Sequence, residues 1–197
     1  MSINQRASLE VLGSYSLPFN GPGSVLRANN GIVFPYTPVI NNQHSVEYSQ
    51  FNLAHTNYQI SSFSKSRPGN IQVTGNFSNQ LQIEAQYTAG CIHFLRVVTK
   101  MHFGPNDDNA GTPPPLLSFS AYGPVNFNRI PVLVGGFTVN YPDDVDYINI
   151  QIGDAEVNLP IIVTISIDLI PHYPANRQNA FNLADFANGD QYKDGFI

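Results

Sequence analysis

The sequence predicts a mainly β, α+β domain: an antiparallel sheet with one long helix packed outside it. Three observations carry this. Several segments alternate apolar and polar residues with period two, the mark of half-buried antiparallel strands. One mid-chain stretch, residues 80–103, is instead apolar at helical spacing. Clusters of Gly, Pro, Asn and Asp separate these segments, as turns require.

Taken in order, residues 1–30 are weakly patterned. "EVLGSYSLPF" reads as a strand, and "NGPGSVLRANNG" as a loop or flexible arm. "GIVFPYTPVI" holds two prolines, which demote it to an edge strand or extended segment. "NIQVTGNFS" sets Ile71, Val73 and Phe77 against Gln72, Thr74 and Asn76. "GFTVNY" sets Phe137, Val139 and Tyr141 against Thr138 and Asn140. "PIIVTISIDLI" sets Ile161, Val163, Ile165, Ile167 and Leu169 against Thr164, Ser166 and Asp168. "LLSFSAYG" and "DYINIQI" add two more strands, and the glycines of "LVGGF" signal a bulge or a close backbone approach.

The helix has its own punctuation. Asn79 is placed to cap it, with Gln82 three positions on. Lys100 and His102 fall in the last turn, and Gly104-Pro105 stops it. Leu81, Ala85, Ala89, Ile92 and Leu95 form one apolar face; Tyr87, Cys91, Phe94, Val98 and Met101 form a second. A helix dry on two sides is buried on two sides. Either one side packs on its own sheet and the other meets a neighbouring subunit, or the helix lies deep in a single core. After it, "GPNDDNAGTPPPLL" is a long loop. Residues 171–197 are irregular, with a short helix at "NLADFAN".

The 197 residues suffice for one domain with a real core. Only 12% are charged, about half the usual share. Asn, Gln, Ser and Thr wet the surface instead, and such a surface is less costly to bury against other subunits. The net charge of -5 is uneven: residues 1–104 hold six Lys/Arg and three Asp/Glu, residues 105–197 three and eleven. That division suits head-to-tail contacts. Basic clusters that would grip nucleic acid are absent. A single cysteine, Cys91, excludes an internal disulfide. The start "MSINQRASLE" lacks the apolar region of a signal peptide, and no run is long enough to span a membrane, so a cytoplasmic origin without a membrane anchor is expected.

No reactive constellation emerges. The five histidines show no metal-ligand spacing, Cys91 has no histidine one turn away, and nucleotide-binding or nucleophile motifs are missing. "NYPDDVDYINI" gathers Asp143, Asp144 and Asp146, but lacks the glycine and distal glutamate of a calcium loop. Proline followed by aspartate is turn chemistry, and an acidic bend between two strands is the expectation. Neither catalysis, cofactor nor metal is expected.

Four stretches carry a resemblance. They are "HTNYQISSFSKSRPGNIQVTGNFSNQLQIEAQYTAGCIHFLRVVTKMHFG", "PPPLLSFSAYG", "IPVLVGGFTVNYPDDVDYI" and "VTISIDLIPHYP". Together, over residues 43–190, the chain resembles the tail-tube junction (tube initiator) proteins of contractile-tailed bacteriophage baseplates. The resemblance implies a tail-tube-like antiparallel β-barrel or sandwich with the helix packed outside. With the patterning above, the expected division is an N-terminal arm or strand (1–30), a tube-fold domain (31–170) and a C-terminal extension (171–197). The resemblance implies subunits joined into a homo-hexameric ring of the virion, between baseplate hub proteins and the tail tube protein. The ring would initiate tube growth and pass DNA without binding it. On that expectation Thr138, Asn140, Thr164, Ser166 and Asp168 line the lumen, and Tyr87, Cys91, Phe94, Val98 and Met101 form a subunit interface. Two rival readings are a jelly-roll decoration protein and a carbohydrate-binding β-sandwich. The long mid-chain helix counts against the first, and the lack of Trp against the second. A hydrolase using Asp143, Asp144 or Asp168 is a remote third.

Overall fold

The structure, a computed structural model, describes residues 6–12, 21–153 and 155–197. Seven strands form one antiparallel sheet: β1 (Ser8–Val11), β2 (Gly31–Val33), β3 (Val39–Phe51), β4 (Ile60–Ser78), β5 (Leu117–Ala121), β6 (Phe127–Asn140) and, last in the chain, Ile162–Pro171. Between β6 and that last strand lies a separate hairpin, β7 (Tyr147–Ile152) and β8 (Ala155–Pro160), so the last strand is β9. The spatial order is β2-β1-β5-β6-β9-β4-β3. The sheet is mainly antiparallel β as expected, but it stays open. The closed barrel is not present within one chain, because β2 and β3 end the order and do not pair with each other.

"GIVFPYTPVI" divides at its prolines: Pro35 and Pro38 lie in the connection between β2 and β3, and these two strands are the edges of the sheet. β1 is not an edge: it pairs with both β2 and β5, so the start of the expected strand "EVLGSYSLPF" sits inside the sheet. The rest of "EVLGSYSLPF", residues 13–20, lies outside the described residues. "LVGGF" does contain a bulge, a register shift between Val134 and Gly136. A Cβ on Gly135 there would come within 2.9 Å of the Ile170 side-chain end, which would have to move aside.

Period-two alternation decides which way each central strand faces. Ile71, Val73 and Phe77 of β4 and Val163, Ile165, Ile167 and Leu169 of β9 are buried together. Each contributes about 1.5–3 kcal/mol by leaving water. Onto that face packs α1 (Gln82–Val98). It is shorter at both ends than its sequence pattern. Asn79 does not cap it; Glu84 does, its carboxylate accepting from the Gln80 and Leu81 amides at 3.0 and 3.2 Å. Asn79 is fully buried instead. Its side chain donates to the Pro160 carbonyl at 2.7 Å and accepts from Thr88, which ties the end of β4 to β8 and to α1.

α1 is buried on two sides by its own chain. Cys91, Phe94, Leu95 and Val98 join the main core under the sheet. Ala85, with Ala89 beside it, packs on Ile150 and Leu159 of the β7–β8 hairpin. A 3-10 helix, Gly21–Asn29, lies against it as well. Gly90 permits that approach: a Cβ would sit 2.6 Å from Val25 and 2.7 Å from the Pro22 carbonyl.

The C-terminal stretch folds back on the sheet. It contains α2 (Ala175–Gln178), α3 (Leu183–Asn188) and a 3-10 turn, Tyr192–Asp194, near β6. α3 falls in the expected "NLADFAN", capped by Asn182, with Gly189 left-handed at its end. The Tyr173 hydroxyl donates to the Gly195 carbonyl at 3.0 Å, its ring stacks on Phe196, and burial pushes its phenol up to about 12. The three stretches of the sequence therefore share one core, with Leu9, Leu26 and Ile197 all packed into it.

Candidate assembly surfaces

The sheet face opposite α1 carries the five residues expected on a lumen wall. Register brings them together: Thr138 pairs with Ser166, which pairs with Thr74, and Asn140 pairs with Thr164, which pairs with Asn76. Side chains bond across the strands. The Thr74 and Ser166 hydroxyls lie 3.0 Å apart, Thr164 donates to Asn76 at 2.9 Å, and Asn70 donates to Asp168 at 3.1 Å. Thr138 and Asn140 are exposed; Thr164, Ser166 and Asp168 are half-buried. Asp168 is the one charge among the five. The face is a hydroxyl- and amide-lined surface on the side of the sheet away from α1, with Tyr36 and Thr37 beside Thr74 and Asn76 at one margin.

The residues expected at a subunit interface divide. Cys91, Phe94 and Val98 are buried in the chain's own core, with relative exposures of 0%, 2% and 1%. They face this chain's sheet and are not available to a neighbour. Both dry sides of α1 are real: the side assigned to a partner packs into the core under the sheet, and the β7–β8 hairpin covers the Ala85–Ala89 side. Tyr87 anchors the helix: its hydroxyl donates to the Val33 carbonyl and accepts from the Val33 amide, both at 2.8 Å. Burial holds both the Tyr87 phenol and the Cys91 thiol protonated well above neutral pH. Met101 lies past the helix end and is exposed, as is Phe103 at 86%.

Asp143, Asp144 and Asp146 lie in the bend between β6 and β7, all exposed. The bend is built as Asp-rich turns are: the Asp146 side chain accepts from the Tyr147 amide at 2.8 Å, and its carbonyl accepts from Ile161 at 2.9 Å. Among the described residues no cluster of His, Cys, Asp and Glu has the makings of a metal site. No helix there is long and apolar enough to cross a membrane.

Sequence patterning missed two surfaces. The first is an arm. β4 pairs with β9 only from Ile71 onward, yet β3 and β4 stay paired outward from His44–Pro68 to Phe51–Ile60. This two-stranded arm projects about 27 Å, at ~3.4 Å per residue. Tyr48, Phe51, Leu53, Tyr58, Ile60 and Phe63 are exposed along it, Tyr58 at 86%. Tyr48 and Phe63 meet edge to face, with centroids 6.1 Å apart, and Glu47 pairs with Lys65 at 3.1 Å and with Arg67. Surface pairs and one aromatic contact do not offset so much exposed apolar area.

The second is a cleft of about 600 Å³ between α1 and the β7–β8 hairpin. Ala89, Ile92, Val157 and Leu159 form its apolar walls. His93, Arg96 and Asp143 stand among the polar residues lining it.

No family model matches the chain, and no curated protein matches it. Among solved structures, a chain in a cryo-EM structure of the anti-feeding prophage (AFP) baseplate, 6-fold symmetrised, is a weak structural neighbour. It is 10% identical, with 86% of this chain and 90% of that chain covered, at a TM-score of 0.38. A likeness of that size carries no argument by itself.

Proposed function

We propose that this protein is a structural subunit of a phage-tail baseplate, forming a six-copy ring that joins the hub to the tail tube. In this reading the ring initiates tube growth, and its lumen passes DNA. The observation that carries the proposal is the uncovered polar sheet face on an open sheet. A monomer gains little from a sheet with two free edges and one bare face, since unpaired strand edges invite other chains. Edge-to-edge joining of several copies closes such a sheet into a barrel wall, with α1 on the outer side and Thr138, Asn140, Thr164, Ser166 and Asp168 on the inner.

The chemistry of that face suits a conduit. A basic lining would release counterions and hold phosphates tightly, whereas hydroxyls, amides and one carboxylate do not. The arm adds support for assembly, because its apolar residues have no cover within the described chain. The order of motifs over residues 43–190 supports the more specific placement at the hub–tube junction.

The test is the native mass of the purified protein over a range of concentrations, with images of the large species. A six-copy ring with a central hole is the expected result. A particle of different symmetry, or a strict monomer both alone and with hub proteins present, overturns the proposal.

A further inference from the structure

The arm and the cleft lie at opposite ends of the same strands. The register Asn140–Thr164–Asn76 marks one end, and the cleft residues Tyr141, Leu159 and Pro160 follow directly beyond it. Ile71 paired with Leu169 marks the other end, and the arm continues outward from there. An arm tip therefore points away from the cleft of its own chain.

We infer that the arm tip of one copy docks into the cleft of a second copy, head to tail. This rests on the assembly reading above and adds the receiving surface. The two surfaces match in chemistry. The tip exposes Phe51, Leu53 and Tyr58 among uncharged polar residues, with no Asp, Glu, Lys or Arg between residues 48 and 64. The cleft walls are apolar, and its volume falls in the range that accommodates several buried groups. Large aromatics such as Tyr58 supply most of the energy when they enter a dry pocket.

Charge adds direction. Lys65 and Arg67 against the single Glu47 leave the arm basic; the cleft lining holds Asp143 and Arg96, and the bend that carries Asp143 adds the exposed carboxylates of Asp144 and Asp146 next to it. Opposite signs steer and orient an encounter. A contact between two different patches is heterologous, so it propagates around a ring or from one layer to the next.

The experiment uses the full chain with Leu53→Cys in the arm and Asn158→Cys at the cleft. Native Cys91 is fully buried and does not compete. The two single variants are mixed and mildly oxidised. The expected result is a cross-linked dimer that joins one of each. Neither variant alone, nor Leu53→Cys mixed with Ala187→Cys, should give more than a small fraction of that yield. In parallel, Leu53→Ser with Tyr58→Ser should leave the melting temperature unchanged and weaken association at least tenfold. Assembled particles without a disulfide between the arm thiol and the cleft thiol overturn the docking while leaving the ring standing. Such an outcome assigns the cleft to a different protein or to a small ligand. Absence of any assembly, both alone and with hub proteins present, overturns both.

Discussion

The hydroxyls of Thr74 and Ser166 lie 3.0 Å apart across β4 and β9, on the one sheet face that carries no helix. Behind them, Val73 and Ile167 are fully buried. One register thus makes a dry face and a wet face at once. The wet face is held by exposed or half-exposed hydrogen bonds, each contributing about 0.5–1.5 kcal/mol.

Replacing polar groups on that face should therefore alter function before fold. Thr164→Lys combined with Ser166→Lys is expected to cost no more than about 2 kcal/mol of stability. If the proposed ring forms, the variant ring should retain DNA in a salt-dependent way, whereas the native one should not. Gel retardation at low and high salt checks this. Equal DNA retention by native and variant rings would contradict the lumen assignment.

Asn79 is the opposite case, a buried polar side chain with its donor and acceptor both used. Asn79→Ala removes the amide donor to the Pro160 carbonyl and leaves the Thr88 hydroxyl with the Glu84 carbonyl alone, at 3.1 Å. The expected loss is about 2–4 kcal/mol, read from denaturant unfolding.

The residues along α1 separate core from surface. Phe94→Ala should destabilise the isolated chain by about 3–5 kcal/mol through cavity formation. Met101→Ala, exposed beyond the helix, should change it by less than about 0.5 kcal/mol. If Phe94→Ala left the monomer intact and affected only assembly, the helix would be an interface element after all.

Acid should loosen the loop after α1. The Asn109 amide and then His102, at 2.8 Å, hold the Asp107 carboxyl below its ordinary value of 3.8. A depressed carboxylate adds stability that is present above its unfolded pKa and lost as pH falls through the folded one. The Asn109 amide shift should therefore titrate below pH 3.8, and Asp107→Asn should abolish that step. A step at higher pH would contradict the depression.

Much of this architecture was legible in the sequence, for physical reasons that also mark its limits. β4, β6 and β9 alternate because each separates a core from water, so "PIIVTISIDLI" and "NIQVTGNFS" announce both faces. The prolines of "GIVFPYTPVI" mark the break between β2 and β3. The arm is silent because neither of its faces meets a core: "VEYSQF" and "ISSFS" alternate without burial to confirm the pattern. The two dry sides of α1 were legible, but periodicity says only that a side is covered, not by which chain. β8, with the sequence AEVNLP, packs just one small patch on the helix and so carries little signal. Asn79 precedes the helix as a cap would, yet its burial against Pro160 depends on residues 81 positions away.

The most direct test of the central claim is a map of the assembled ring at side-chain resolution. The account predicts Thr164 and Ser166 on the inner wall, α1 on the outer side, and β2 and β3 of adjacent copies closing the sheet. A ring with that polar face on its outer surface, or with α1 lining the hole, would contradict it.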